Sequence, residues 1–374
     1  MSKSKMEVLA DLGQSVWLDY INRPMIESGK LKGLIDDGLR GMTSNPAIFN
    51  QVISAGKDYD EKISALSGQG KSPFDIYDEI TIADIQDACD LFKPVHEKTK
   101  GLDGYVSLEI NPLLANDAKA SIDEGLRLFK KVGRPNVMIK VPATDAGFPV
   151  VEELLSNGVN VNVTLIFSML QYMDTAEAFI TGLDRFAAKS GDVSRVASVA
   201  SVFVSRTDTL IDKILDDKMV DSTKDKLLPL QGQAAVANCR LIYEKSKEMA
   251  EDERFQTLAA KGARWQRVLW GSTSTKNPQY PDVKYVAELI APDTVNTVPE
   301  KTLMAFLDHG EAKLALQGSV EDARAVFEAL GEFGISIDDA CRQLLEEGLK
   351  AFDTSFEDLL KAIEAKAKQL SGKA

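Results

Sequence analysis

Short apolar runs alternate along the chain with longer segments in which apolar residues recur every three or four positions. The short runs are rich in β-branched residues and are typical of buried β-strands. The eight runs are SVWLDYI (15–21), GMTSN (41–45), YVSLEI (105–110), NVMIKVP (136–142), VNVTLIFS (161–168), RVASVASVFVSR (195–206), RVLWGSTS (267–274) and TVNTV (294–298). The longer segments, such as 73–99 and 232–252, are typical of amphipathic helices.

Strands that alternate with helices predict parallel pairing and right-handed crossovers. Eight such strands are the number that a (β/α)8 barrel requires. A doubly wound sheet is the alternative, but no glycine-rich dinucleotide fingerprint follows the first strand. The sequence therefore favours an α/β fold of the (β/α)8 barrel type.

Beyond residue 310 the chain shows only helical patterns, over 319–333, 336–352 and 355–371. Ser355 stands where the N-cap of the last helix is expected. We expect these helices to pack on the barrel as a C-terminal extension, residues 311–374. The whole chain, 1–374, is then predicted to be a single domain.

Composition narrows the possible functions. A net charge of −13 argues against general binding to nucleic acids or anionic membranes. No apolar run is long enough to span a bilayer, and the first residues, MSKSKMEVLADLG, lack the features of a signal peptide. Cys89, Cys239 and Cys341 are widely separated, which predicts reduced cysteines in a cytoplasmic protein. We expect His96 and His309, the only histidines, to be helix residues rather than metal ligands.

Polar residues interrupt several of the apolar strands. Lys140 lies in MIKVP among apolar neighbours, whereas Asp19 and Glu109 lie in VWLDYI and VSLEINP. Asn162 and Thr164 alternate in VNVTLIF, so both point to one face of the strand. Because a (β/α)8 barrel builds its active site at the C-terminal ends of the strands, we interpret these residues as one site rather than as unrelated buried groups.

The residue types suit imine chemistry. A buried lysine without a partner tends to lose its proton, and the neutral amine can attack a ketone. The protonated imine then eases cleavage of a neighbouring carbon–carbon bond, with one carboxylate as base and another as acid. Thr164, Asn162, Asn45 and Ser201 can orient a polyhydroxylated substrate, and Arg206 offers a fork that suits phosphate.

Six segments of the sequence resemble those of transaldolases of the longer bacterial type. The resemblance extends in order over about residues 12–310, and the six segments together are highly specific. They are TSNPAIF (43–49), SLEINPLLAND (107–117), MIKVPAT (138–144), VNVTLIFS (161–168), ASVASVFVSRTD (197–208) and TVNTVPEKTL (294–303).

The resemblance implies catalytic roles for four residues. Lys140 matches the lysine that forms the Schiff base, and Asp19 matches the carboxylate that takes the C4-hydroxyl proton of the donor. Glu109 matches an acid/base that works through a water, and Thr164 matches the residue that holds this water. No metal or organic cofactor is implied.

The resemblance also implies the substrates, which are sugar phosphates. Asn45, Asn162 and Ser201 match residues that hold the donor's hydroxyl groups, and Arg206 matches a phosphate ligand. The implied reaction moves a dihydroxyacetone unit from sedoheptulose 7-phosphate to glyceraldehyde 3-phosphate and yields erythrose 4-phosphate and fructose 6-phosphate. The oligomeric state does not follow from the sequence.

The second half of the phosphate site departs from the pattern of the shorter transaldolases. These have a serine and an arginine after the seventh strand, whereas WGSTSTKNP offers Ser272 and Lys276. Lys276 can replace the arginine as a point charge. Arg264 and Arg267 are the alternative cations.

Two other functions compete with transfer. Fructose 6-phosphate aldolases, which release free dihydroxyacetone, resemble the same pattern but carry glutamine and tyrosine where this chain has Glu109 and Phe203. Glu109 and Phe203 therefore favour a transferase, and Phe203 is expected in the donor site. A binding barrel in which Lys140 only clamps phosphate is the second alternative, and the set of acid, base and nucleophile argues against it.

Overall fold

Eight parallel strands close into a barrel in sequence order, and the first strand pairs with the last. The computed structural model describes residues 3–316 and 320–371. The strands are β1 (Gln14–Asp19), β2 (Gly41–Thr43), β3 (Val106–Glu109), β4 (Val137–Pro142), β5 (Val161–Ile166), β6 (Ser198–Phe203), β7 (Arg267–Gly271) and β8 (Thr294–Val298). The predicted fold class is confirmed.

Helices connect the strands and surround the barrel. They are α1 (Lys5–Asp11), α2 (Arg23–Glu27), α3 (Lys30–Asp36), α4 (Pro46–Ala55), α5 (Asp60–Gly68), α6 (Pro73–Lys98), α7 (Ala118–Val132), α8 (Gly147–Ser156), α9 (Met169–Ala188), α10 (Ser205–Lys218), α11 (Lys224–Leu227), α12 (Ala234–Ala250), α13 (Glu253–Ala259), α14 (Lys284–Ala287), α15 (Glu300–His309), α16 (Val320–Glu332) and α17 (Ile337–Ser371). Within the described ranges, no helix is both long and apolar enough to cross a membrane.

Side chains fill the barrel interior in layers, because residues alternate between the two faces of each strand. Gly41 makes room for the Trp17 ring, since a Cβ atom at Gly41 would lie only 2.6 Å from it. One layer of the interior is apolar. Polar residues lie two positions further along the strands, at their C-terminal ends, and form the site described below. The apolar layer consists of Trp17, Tyr105, Met138, Val199, Leu269 and Val295.

The opposite, N-terminal end of the barrel holds a buried ion pair. Arg267 begins β7, two residues before the inward-facing Leu269, and its Nη2 donates to Asp103 Oδ1 at 2.8 Å. Arg264 precedes it and donates to the carbonyl oxygen of Lys100 at 2.6 Å. Both arginines therefore lie at the end of the barrel opposite the predicted site, which is at odds with a phosphate-binding role for either.

Six of the eight predicted strands end one to three residues earlier than expected, and beyond two of them a predicted site residue belongs to a helix. β2 ends at Thr43, and Asn45 is the N-cap of α4, where its Oδ1 accepts from the Ile48 backbone N–H at 3.0 Å. β6 ends at Phe203, and Arg206 lies in the first turn of α10. The strand-like patterns extend past these two strands because the residues that follow them are also buried or half-buried.

The last two predicted helices form one continuous helix, α17. The expected break at Ser355 does not occur, because the buried positions keep their three- and four-residue spacing across it. Gly348, Phe352, Phe356 and Leu359 are all buried on the same face. A single face can therefore pack continuously against α4, α5 and α6 on the outside of the barrel.

Candidate active site

A cleft of about 180 Å³ opens at the C-terminal ends of the strands. Glu109 faces an adjoining void of about 10 Å³ rather than the cleft itself. Eleven residues were predicted for the site, and the structure brings the other ten together around the cleft. These ten are Asp19, Asn45, Lys140, Asn162, Thr164, Ser201, Phe203, Arg206, Ser272 and Lys276.

Three neighbouring strands hold Lys140 between polar groups. The register pairs Glu109 with Lys140, and Lys140 with Asn162, so the three side chains lie next to one another in one inward-facing layer. Lys140 Nζ donates to the carbonyl oxygen of Ser44 at 3.1 Å and lies 3.4 Å from Glu109 Oε2. The side chains of Lys140 and Glu109 are 6% and 5% exposed. The lysine is thus desolvated but has a carboxylate partner.

Asp19 ends β1 on the same side of the barrel. Its Oδ1 accepts a hydrogen bond from Thr43 Oγ1 at 2.8 Å, and Thr43 Oγ1 lies 2.7 Å from Thr297 Oγ1. Loss of hydration raises the pKa of Asp19, whereas the charge of Lys140, the Thr43 hydrogen bond and the charge of Lys276 oppose this rise.

Glu109 is a second carboxyl group with a raised pKa. Burial is the main cause, and the negative charge of Asp19 adds to it. The charge of Lys140 and the hydrogen bond from its ammonium group oppose the rise. Glu109 is more deeply buried than Asp19 and faces a separate void. Two carboxyl groups in such different surroundings can act as acid and base in one reaction.

Hydrogen bonds link Asn162 on β5 with Ser201 on β6, whereas Thr164 on β5 stands apart from them. Ser201 Oγ donates to Asn162 Oδ1 at 2.6 Å, and Asn162 Nδ2 donates to Ser107 Oγ at 3.0 Å. Thr164 Oγ1 is buried but has no hydrogen-bond partner within the described residues. Leaving a buried hydroxyl unpaired is costly, so Thr164 is available to a water or a ligand.

The cleft also has two cationic side chains. Arg206 is half-buried with its guanidinium 5.6 Å from the centre of the Phe203 ring, and it has no hydrogen-bond or ion-pair partner in the part of the chain that the structure describes. Lys276 Nζ donates to Ser274 Oγ at 2.8 Å. Ser272 lies beside them in a left-handed conformation, φ 54°. In a protein of net charge −13, these two side chains give the cleft a local positive charge.

Sequence reasoning missed several residues of the cleft wall. Thr43 and Thr297 can be detected from the sequence, because they are polar residues of the predicted strands GMTSN and TVNTV. Phe352 of α17 was not, because nothing in the sequence distinguishes it from the other apolar residues of that helix. The further lining residues are Thr43, Ala47, Leu269, Gly271, Ser274, Thr297, Pro299 and Phe352.

A larger cavity, about 440 Å³, lies at the N-terminal end of the barrel, where His96 and Arg195 contribute to its wall. None of the predicted site residues lines it. Among residues 3–316 and 320–371, no group of three or more histidine, cysteine, aspartate or glutamate side chains is positioned to hold a metal ion. The smaller cleft holds the chemically distinctive groups, so we take it as the active-site candidate.

A parallel barrel with a buried lysine beside a carboxylate at its C-terminal end is an arrangement suited to covalent imine catalysis. Comparison with protein families agrees with this class. The chain belongs to the transaldolase/fructose-6-phosphate aldolase family, whose model matches residues 16–363.

Individual relatives are similar over nearly the whole chain. The chain is 45% identical over 370 residues to a transaldolase of Trichodesmium erythraeum, which is 97% of each chain. It is 44% identical to a transaldolase of Saccharopolyspora erythraea, covering 98% of this chain and 99% of the relative. A transaldolase of Mycobacterium bovis is 43% identical over 96% of both chains.

Proposed function

We propose that this protein is a transaldolase that moves a dihydroxyacetone unit from sedoheptulose 7-phosphate to glyceraldehyde 3-phosphate. The products are erythrose 4-phosphate and fructose 6-phosphate. The observation that carries the proposal is the position of Lys140 Nζ, which is buried in a polar cleft beside the Ser44 carbonyl oxygen and Glu109. Family membership and the names of the relatives support the same reaction.

In this proposal Lys140 is the nucleophile. Its neutral amine adds to the donor ketone, and loss of water gives a protonated imine that withdraws electrons from the neighbouring carbons. Asp19 takes the proton of the C4 hydroxyl, the C3–C4 bond breaks, and the aldehyde leaves. The enamine that remains on Lys140 attacks the acceptor aldehyde, after which the same steps in reverse release the product.

Glu109 is proposed to transfer protons through a water during imine formation and hydrolysis. Thr164 lines the cleft, whereas Glu109 lies next to Lys140, so a water in the cleft beside Lys140 could contact both side chains. Thr164 Oγ1, which lacks a partner within the described residues, is the group that we propose holds this water. The raised pKa of Glu109 supports its use as an acid as well as a base.

The donor's hydroxyl groups are proposed to bind Asn45, Asn162 and Ser201. Because Asn45 Oδ1 is occupied as a helix cap, its NH₂ group remains to donate to a hydroxyl. Ser201 and Asn162 are already hydrogen-bonded to each other, which fixes their orientation before substrate binds. Phe203 contributes an apolar wall beside them.

The phosphate group of the sugar is proposed to bind Arg206, Ser272 and Lys276. Arg206 offers a planar fork without an internal carboxylate partner among the described residues, and Lys276 adds a second positive charge. A lysine in this second position gives a point charge instead of a bidentate contact. Ser272 is proposed as a neutral donor to the same phosphate.

We further propose that the whole chain is a single domain that works in the cytoplasm. α17 packs on the outside of the barrel and also contributes Phe352 to the cleft wall, which supports one folding unit. Cys89, Cys239 and Cys341 are buried and unpaired, which is compatible with a reducing compartment.

An assay of product partition tests the proposed function. Fructose 6-phosphate is supplied with and without erythrose 4-phosphate as acceptor, and both sedoheptulose 7-phosphate and free dihydroxyacetone are measured. We expect rapid transfer with the acceptor and slow release of dihydroxyacetone without it, because Glu109 and Phe203 follow the transferase pattern. Release as fast as transfer would identify an aldolase instead.

A further inference from the structure

The side chain of Phe352 places the C-terminal helix in direct contact with the cleft. Phe352 belongs to α17, is 8% exposed, and lies on the cleft wall with its ring centre 5.9 Å from Lys140 Nζ. It is therefore close enough for a cation–π contact with the protonated amine. It is also an apolar side chain in a wall that is otherwise largely polar.

Phe352 also separates the cleft from the void beside Glu109. It lines both spaces, together with Leu165 and Leu349 on the side of the void. The void has a volume of about 10 Å³, so it has room for about one water. The phenyl ring is thus a wall that the cleft and the void share.

Close packing fixes the position of this part of α17. A Cβ atom at Gly348 would lie 3.0 Å from Leu165 Cδ2, so the helix backbone approaches the end of β5 closely. Leu165 has a left-handed backbone, φ 60°, where the pairing of β5 with β6 shifts register, and its side chain joins the apolar cluster that includes Phe352. The left-handed backbone of Leu165 costs conformational energy, which the packing of its side chain against α17 must offset.

Contacts on either side of Phe352 anchor the helix further. The Cys341 thiol donates to the carbonyl oxygen of Phe167 at 3.3 Å. Phe356, one turn after Phe352, packs edge-to-face on Tyr77 with ring centres 5.2 Å apart. Phe352 is therefore held in place from both directions along the helix, rather than projecting from a free segment.

We propose that Phe352 is a specificity-determining residue that favours the aldehyde acceptor over water as the partner of the three-carbon intermediate on Lys140. This inference rests on the proposed function. The ring offers no hydrogen bond to a second water and fills the space through which bulk water would otherwise reach the imine carbon. The water that Glu109 and Thr164 are proposed to share is then the one best placed beside the intermediate.

The competing step is hydrolysis of the protonated imine. The enamine first takes a proton on carbon, and a water oxygen then bonds to the imine carbon while its proton passes to a base. The nitrogen then takes a proton, the hydroxyl of the carbinolamine loses its proton to a base as the carbon–nitrogen bond breaks, and free dihydroxyacetone leaves Lys140. This step needs no reagent other than water, so its rate depends on how readily water reaches the carbon.

The test compares hydrolysis with transfer in Phe352→Ala, Phe352→Leu and a control, Phe356→Leu. The control loosens the same helix one turn away without changing the cleft wall. Borohydride trapping of the wild type with fructose 6-phosphate comes first, since absence of an adduct would refute the proposed function itself. The rate of dihydroxyacetone release without acceptor is then divided by the rate of transfer with saturating acceptor.

We expect this ratio to rise about tenfold in Phe352→Ala, to rise by a smaller factor in Phe352→Leu, and to keep its wild-type value in Phe356→Leu. If the alanine variant does not fold, the leucine variant decides. An unchanged ratio in the folded Phe352 variants, with the adduct still formed on Lys140, would overturn the inference while leaving the transaldolase proposal intact. If the ratio rose equally in Phe356→Leu, the rise would result from loosening of α17 rather than from loss of the Phe352 ring, and this outcome would also overturn the inference.

Discussion

Glu109 Oε2 lies 3.4 Å from Lys140 Nζ, and both side chains are almost completely buried. In such a poorly hydrated site, a charge on either group is felt strongly by the other. A neutral amine beside a protonated carboxyl group has the same net charge as the ion pair. In the proposed mechanism, Glu109 is therefore the group placed to take the proton that the amine must release before it can attack a ketone.

Replacing Glu109 by glutamine tests its role in proton transfer. Glutamine keeps the shape of the side chain but cannot exchange a proton, so we expect kcat for transfer to fall about 10²-fold or more. The exposed Glu61→Gln substitution is the control for a change of one charge. Steady-state kinetics that show less than a threefold loss in Glu109→Gln would argue against proton transfer by Glu109.

Thr164→Val is predicted to lower activity without lowering the stability of the fold. Valine is nearly isosteric and removes a buried hydroxyl that has no partner among the described residues, so the free energy of unfolding should stay the same or increase slightly. If Thr164 holds the catalytic water, kcat should nevertheless fall by about tenfold or more, as expected for a lost hydrogen bond in the transition state. Thr164→Ser keeps the hydroxyl and should retain most of the activity. A stable valine variant with wild-type kcat would contradict the assignment.

The substitution Lys276→Met tests the second half of the phosphate site. Loss of one charged contact should lower kcat/KM for fructose 6-phosphate about tenfold, whereas kcat/KM for unphosphorylated fructose should change little. The separate variant Lys276→Arg is expected to retain binding of the phosphorylated donor, because arginine keeps the charge and can also make bidentate contacts. The exposed Lys226→Met substitution controls for net charge. An equal loss with both donors would exclude a specific phosphate contact.

A buried carboxyl group on α10 predicts how stability depends on pH. Asp208 Oδ1 accepts from the Ala235 backbone N–H and Oδ2 from the Tyr285 hydroxyl, each at 2.7 Å. Burial raises the pKa of Asp208 from 3.8 to about 6 in spite of these hydrogen bonds. Because the folded state binds this proton more tightly than the unfolded state, the contribution of Asp208 to stability falls as pH rises from about 4 to about 6. The loss amounts to about 3 kcal/mol.

The variant Asp208→Asn has no proton to lose, so its stability relative to the wild type should increase between pH 4.5 and pH 7. Denaturant unfolding of both proteins at the two pH values measures this difference. Tyr285→Phe removes a hydrogen bond that lowers the pKa of Asp208, so the loss of stability should extend to higher pH in this variant. A difference between Asp208→Asn and the wild type that does not change with pH would contradict the prediction.

Local patterns were sufficient to predict the barrel and most of the cleft. The two-residue period of a strand determines which side chains share a face, so Asn162 and Thr164 could be assigned to one side from the sequence alone. The rule that barrel sites form at the C-terminal ends of strands then placed Lys140 and Asp19 in the same site. For the same reason Arg267, at the start of β7, lies at the other end of the barrel.

Features that depend on tertiary packing could not be predicted in this way. Phe352 comes within 5.9 Å of Lys140 Nζ only because α17, on the outside of the barrel, packs against β5. No local sequence pattern indicates a contact between residues so distant in the chain. The predicted break at Ser355 relied on a capping signal, but continuous burial of one helix face overrode that signal. Leu165 does not follow the alternation of β5, because the pairing of β5 with β6 shifts register there. The sequence around Leu165 does not predict this shift.

Covalent trapping tests the central claim, that Lys140 forms an imine with a ketose phosphate. The full-length protein is incubated with fructose 6-phosphate, reduced with borohydride, and analysed by intact mass and peptide mapping, with Lys140→Arg as the control. We predict a three-carbon adduct on the peptide that contains Lys140 and none in the control. A folded wild-type protein without an adduct, or an adduct on another lysine, would contradict the proposed mechanism.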